Sequence, residues 1–122
     1  MRKKKKKDNS ESLLKLIVEA MQEKKAKEIA ILNLKKIDKS VCEYYVICHA
    51  DSNIQVEAIA KNVDGFVKKK SGEDPWHTEG FQNAEWILLD YVNIVVHVFQ
   101  KHARDFYGVE RLWADAEIKH ID

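Results

Sequence analysis

WILLDYVNIVVHVFQKHARDFYGVERLWADA, residues 86–116, is the stretch from which the fold is read. Residues 86–92 and 94–100 are β-branched and aromatic runs joined at Val92-Asn93, a spacing that predicts two neighbouring strands. Alternation along the first run puts Trp86, Leu88 and Asp90 on one side and Ile87, Leu89 and Tyr91 on the other. Both sides are largely apolar, as in a strand covered on each face. Residues 102–116 then read as a helix with Phe106, Val109, Leu112, Trp113 and Ala116 along one side.

Working outward, residues 76–79 form a brief strand after the Asp74-Pro75 loop. Upstream of it, Ser52 and Gln55 make an S-x-x-Q capping pattern that opens a helix. Val56, Ile59, Ala60, Val63 and Phe66 or Val67 supply its buried stripe. Lys68, Lys69 and Lys70 complement the dipole of its last turn, and Gly72 stops it. Residues 29–34 and 41–50 are apolar strand-like runs with a short link, so they pair. Residues 10–25 carry Leu13, Leu14, Ile17, Val18 and Met21 at helical spacing, with Asp8 placed to cap and Glu11 in capping-box position. The predicted order is α-β-β-α-β-β-β-α: a single α/β domain with a mixed sheet over residues 10–122, behind a disordered basic tail of residues 1–9. Three helices are few for covering both faces of such a sheet. An uncovered apolar patch with a polar rim marks a docking site.

Charge separates the tail from the body. Arg2 and the lysines through Lys7 supply six of the 21 basic residues, leaving 15 against 20 acidic ones, a net of −5 for the remainder. An acidic body suits a basic protein better than a phosphate backbone. The tail alone has the charge to touch RNA. No apolar run approaches the roughly 18 residues of a membrane span, and no apolar segment follows the basic start as in a secretory signal. Two cysteines, Cys42 and Cys48, make no disulfide framework. The expected setting is reducing and cytoplasmic.

Catalytic constellations are missing. The four glycines are scattered and build no phosphate loop. No G-x-S-x-G elbow exists. Cys42 and Cys48 share one predicted strand face as small hydrophobes, and their spacing is not that of a zinc knuckle. His97, inside VVHVF, reads as a core or interface group. His49, beside Asp51 at a strand end, is the best candidate for reactivity. Asp115 and Glu117 lean to different faces of a helix and so make no metal pair. Asp90 is the one carboxylate inside an apolar strand, either solvated at the strand end or awaiting a cationic partner. The expectation is a non-enzyme with no metal and no cofactor.

Several stretches in order carry a resemblance: IAILNLK at 29–35, YYVICHADSNIQVEAIA at 44–60, HTEG at 77–80, Ala84-x-Trp86, WILLDY, VVHVF, Arg104-x-Phe106-Tyr107 and VERLWADA. Together they resemble the ribosomal silencing factors, the Iojap-like family, over residues 13–117. The resemblance implies an outline similar to nucleotidyltransferases without their activity. It also implies binding to L-fourteen, a basic protein on the joining face of the large ribosomal subunit. A steric block of small-subunit docking would then repress translation when nutrients are short. The chain departs from the family pattern at Glu43, where Asp is usual, at Ile54, where Arg is common, and at Val92-Asn93, where Gly-Asp is usual. Val resists the positive φ of a tight primed turn, which makes this junction the least expected part of the hairpin.

The expected contact surface comprises Trp86, Leu88, Asp90 and Tyr91, with Glu79 and His97 nearby. Strand parity sets Tyr91 apart from the other three. Two rival readings stand beside this one: an active nucleotidyltransferase-like enzyme, which needs clustered carboxylates, and a general RNA-binding module, whose rRNA contact would be made by Arg2 to Lys7. An uncovered apolar face also allows the free protein to pair with itself as a homodimer.

Overall fold

The structure is a computed structural model that describes residues 2–37, 40 and 42–121, with side chains described from Ser10 onward. Its elements are α1 (Arg2–Glu23), β1 (Lys27–Asn33), β2 (Tyr44–Ala50), α2 (Asn53–Ser71), β3 (His77–Glu79), β4 (Trp86–Asp90), β5 (Ile94–Gln100), α3 (Lys101–Tyr107), α4 (Val109–Leu112) and β6 (Glu117–Ile121). They build one six-stranded sheet in the order β3-β4-β5-β2-β1-β6. Only the central pair, β2 with β5, is parallel, so the sheet is mixed as expected. Residues 2–9, expected as a disordered tail ahead of a helix starting near Ser10, instead continue α1 toward the N-terminus, and Met1 lies outside the described residues.

Period-2 alternation divides the sheet into two apolar faces. Tyr44, Val46 and Cys48 of β2, Ile87 and Leu89 of β4, and Val96 and Val98 of β5 pack under α1 and α2. The opposite face carries Ala30 and Leu32 of β1, Ile47 of β2, and Val95 and Phe99 of β5, packed with Ala103 of α3 and Val109 of α4. α1 buries Leu13, Ile17, Ala20 and Met21, spaced three or four apart. Glu11 does not act as a capping-box residue. Its carboxylate accepts the Tyr44 hydroxyl at 3.2 Å and ties α1 to β2. α2 starts and stops where its end signals lie: Ser52 Oγ accepts the Gln55 N–H at 3.2 Å. Gly72 takes φ 78 and donates its N–H to Lys68 O.

The last quarter of the chain departs from expectation. In place of one helix over residues 102–116 there are two short ones, broken at Gly108, which sits left-handed at φ 56 and donates to Arg104 O at 3.0 Å. The break turns Phe106 and Leu112, expected on a buried stripe, out to 78% and 76% exposure. β6 was not anticipated. Its residues are exposed or half-buried, so it lacks the apolar alternation by which a strand is recognised.

The β4–β5 turn resolves the conflict at Val92-Asn93. Val92 does take a positive φ, 77°. Asp90 Oδ1 accepts the Val92 N–H at 2.7 Å, which holds the turn in place. A β-branched side chain is strained there, and Val92 is half exposed, so little packing offsets the strain. Val92→Gly is therefore expected to stabilise the domain by about 0.5–1 kcal/mol, raising the thermal midpoint by a few degrees. A lower midpoint would mean that the valine side chain contributes more than its strain costs.

Candidate functional site

The β3–β4 hairpin is positioned by Gly80. A Cβ at this residue, φ 91, would lie 2.0 Å from the Trp86 carbonyl oxygen, so only glycine lets the chain turn against β4. Cross-strand register then brings Glu79 opposite Leu88, Leu88 opposite His97, and His97 opposite Ile47. Trp86 stands opposite Phe99, and Asp90 opposite Val95. Glu79, Trp86, Leu88, Asp90 and His97 therefore share one face. Tyr91 does not join them, because its ring belongs to the core beneath α1 and α2, as parity required.

The centre of this face is aromatic. Trp86 Nε1 donates to His97 Nδ1 at 3.0 Å, which leaves the neutral imidazole's proton on Nε2. Nε2 is itself buried with no hydrogen-bond partner among the described residues. Burial pushes the His97 pKa down from 6.5 to about 4. His97 is thus a neutral acceptor that aims the indole. The Trp86 ring lies 4.9 Å from both Phe99 and Tyr107, and Phe106 meets Tyr107 edge-on at 5.1 Å. Tyr45 packs edge-on against His97 at 4.5 Å and reaches Trp113 at 5.9 Å. Burial is the main cause that raises the Tyr45 phenol above its ordinary pKa, so it stays protonated. Tyr45, Trp86 and Leu88 are half-buried, so the face is only partly covered by α3 and α4.

Its acids have local work. Asp90 is neither freely solvated nor left unpaired, since it caps the Val92 turn. Glu79 Oε2 lies 2.7 Å from His77 Nε2 at the exposed edge. His49, the candidate for reactivity, is 3% exposed, and its Nδ1 accepts from Arg104 Nη1 at 2.9 Å. Burial first, and the Arg104 charge second, lower its pKa. Asp51 pairs with Lys27 at 2.6 Å and not with His49. Both cysteines are buried thiols pushed up, Cys42 to about 11 and Cys48 to about 12, chiefly by burial. Among the described residues no group of three or more His, Cys, Asp or Glu side chains is placed to hold a metal ion. Among the same residues no helix is long and apolar enough to cross a membrane.

Phe106 and Tyr107 were missed as surface residues. The signal that would have found them is Gly108, a glycine that ends a helix in mid-pattern. Arg104 was missed as a structural centre, and nothing local announces it.

Comparison with known proteins gives the chain its family. Residues 7–122 match the family described as "Ribosomal silencing factor during starvation". The chain is 39% identical over 114 residues to a protein named ribosomal silencing factor RsfS from Halalkalibacterium halodurans, covering 93% of this chain and 96% of the relative. It is 38% identical over 114 residues to the protein of the same name from Bacillus subtilis, covering 93% and 95%. A crystal structure from Chromobacterium violaceum superposes with a TM-score of 0.81 at 36% identity, over 85% of each chain. A mixed sheet with these helices, matched over nearly its whole length in sequence and in structure, places the chain in the ribosomal silencing factor family.

Proposed function

We propose that this protein binds the large ribosomal subunit through its L-fourteen protein and sterically blocks docking of the small subunit, without catalysing a reaction. The observation that carries this reading is the partly covered aromatic face, in which Trp86, Tyr107 and Phe106 form one chain of ring contacts beside half-buried Leu88. Half-exposed aromatic clusters are the usual anchors of protein interfaces. The net −5 of the chain beyond Lys7 favours a basic partner. In this reading Trp86, Leu88 and Phe106 supply contact area, His97 orients Trp86, and Asp90 and Glu79 form the acidic rim. Tyr91 supports the strand from behind.

The test is sedimentation with purified large subunits, followed by addition of small subunits. The wild-type chain should travel with large subunits and deplete whole ribosomes. Because Phe106 is 78% exposed, Phe106→Ala should leave the melting temperature within about 1 °C, within the scatter of surface substitutions. Combined with Leu88→Ala it should weaken subunit binding by about tenfold or more. Unchanged co-sedimentation of the double variant would count against this surface. Binding that disappears only when residues 1–7 are removed, with a steep salt dependence, would favour RNA contact by the basic tail. Calorimetry with nucleoside triphosphates and magnesium is expected to give no heat, and a saturable signal would revive the enzyme reading.

A further inference from the structure

On the opposite, helix-covered side of the sheet, three segments converge on a cavity of about 180 Å³. Ser10 lines it from α1, Glu73, Asp74 and Trp76 from the loop between α2 and β3, and Tyr91 and Val92 from the β4–β5 turn. Tyr91 is 6% exposed, yet among the described residues its hydroxyl is buried without a hydrogen-bond partner. Buried polar groups are paired as a rule, so an orphan on the wall of a cavity points to a group that would pair with it. Trp76 stands at the rim with 74% of its surface exposed, tethered by its backbone N–H to Asp90 O at 2.9 Å.

The charge around the cavity selects the ligand. Burial raises the Tyr91 pKa first, and the negative charges of Asp64, Asp74 and Glu73 raise it further. Asp64 is likewise raised, by burial and then by the Asp74 charge. Lys68 answers part of this field, pairing with Asp74 at 2.8 Å from a largely exposed position. Glu73 has no ion pair among the described residues. Among the described residues, three carboxylates against one lysine favour a cation over an anion. The volume equals roughly six water molecules, below the range of pockets that take nucleotides or drug-sized ligands.

We propose that this cavity binds a primary alkylammonium group, an aliphatic stem the size of a lysine side chain ending in –NH3+. The stem lies against Trp76, the nitrogen sits between the Glu73 and Asp74 carboxylates, and the Tyr91 hydroxyl accepts one of its N–H groups. The source is either a free polyamine or a lysine side chain of a protein partner.

Two probes at constant ionic strength distinguish these sources: spermidine and N-acetyl-lysine amide, titrated into the full ¹⁵N-labelled chain. Saturable shifts of the Trp76 indole N–H and of the Asp74, Tyr91 and Val92 amides are expected with one or both. Tighter binding of spermidine assigns a polyamine, and tighter binding of the lysine derivative assigns a protein side chain. Tyr91→Phe should weaken binding about threefold, and Trp76→Ala about threefold to fivefold. Glu73→Gln with Asp74→Asn should abolish it while the remaining cross-peaks stay in place. Shifts that fail to saturate, that sodium chloride reproduces, or that persist in the Glu73→Gln, Asp74→Asn chain would overturn the proposal.

Discussion

Arg104→Met is expected to lower the unfolding free energy by about 3–5 kcal/mol, a large part of the 5–15 kcal/mol typical of a domain. Arg104 is 8% exposed. Its Nε and Nη2 donate to Glu110 Oε1 and Oε2 at 3.0 and 2.8 Å, a two-pronged pair. Nη1 reaches Glu28 O at 2.7 Å and His49 Nδ1 at 2.9 Å. The Glu28 carbonyl is free for this because the β1–β2 register shifts between Lys27 and Ala30, taking residue 28 out of the ladder at φ 48. One guanidinium thus joins α3, α4, β1 and β2. Removing it leaves a partly buried carboxylate and an imidazole nitrogen without their donor, which is why the single substitution costs so much. Arg104→Lys should cost nearly as much, since an ammonium cannot supply the fork. Adding Glu110→Leu to Arg104→Met should recover most of the loss, because the orphaned charge goes with it. Urea denaturation of the three variants measures this. A loss below about 1 kcal/mol for Arg104→Met would mean that water replaces the guanidinium at little cost.

The same pair has a pH signature. Glu110 is held below its ordinary pKa chiefly by the hydrogen bonds from Arg104. With the folded value depressed, its contribution is complete above the unfolded carboxylate range and is lost as pH falls through the folded value. In Arg104→Met this part of the acid limb should flatten.

None of this knot was legible in the sequence, for a physical reason. Two of the three partners of Arg104, His49 and Glu28, lie 55 and 76 residues away, Glu110 lies six residues on across the break at Gly108, and periodicity reports only which side of an element a residue takes. What was legible was local. The Ser52 cap, the Gly72 stop and the parity that separates Tyr91 from Trp86, Leu88 and Asp90 depend on residues within a few positions of each other. The proposed docking face lies between these cases. Its β4 and β5 half follows from alternation, and cross-strand register places Leu88 against His97. Its Phe106 and Tyr107 half depends on Gly108 outweighing a helical pattern that runs on through residue 116. At β6 the sequence has no signal because an edge strand with both sides near solvent needs no apolar alternation.

Acid should undo both the fold and the proposed docking face through His97. Its folded pKa, about 4, lies below the ordinary 6.5, so the unfolded chain takes up the proton first as pH falls. Its contribution is therefore complete above roughly pH 6.5 and is lost as pH drops through 4. A depression of this size is on the order of 3 kcal/mol, with a slope of at most about 1.4 kcal/mol per pH unit. The local consequence is specific. Protonation puts a second donor on Nδ1, facing the Trp86 Nε1 donor 3.0 Å away, and the bond that aims the indole becomes a repulsion. His97→Gln keeps an acceptor in reach of Trp86 and cannot titrate. Urea denaturation from pH 7 to pH 4 should give a shallower loss of stability for this variant than for the wild-type chain. His49, also depressed, continues to contribute a loss of the same sign in both. Large-subunit binding by the wild-type chain should weaken only toward pH 4, where the folded His97 takes up its proton, while that of His97→Gln holds, once the ribosome's own pH response is subtracted. Parallel stability curves for the two chains would mean that His97 takes up its proton without disturbing Trp86, and the orienting role assigned to it would fall.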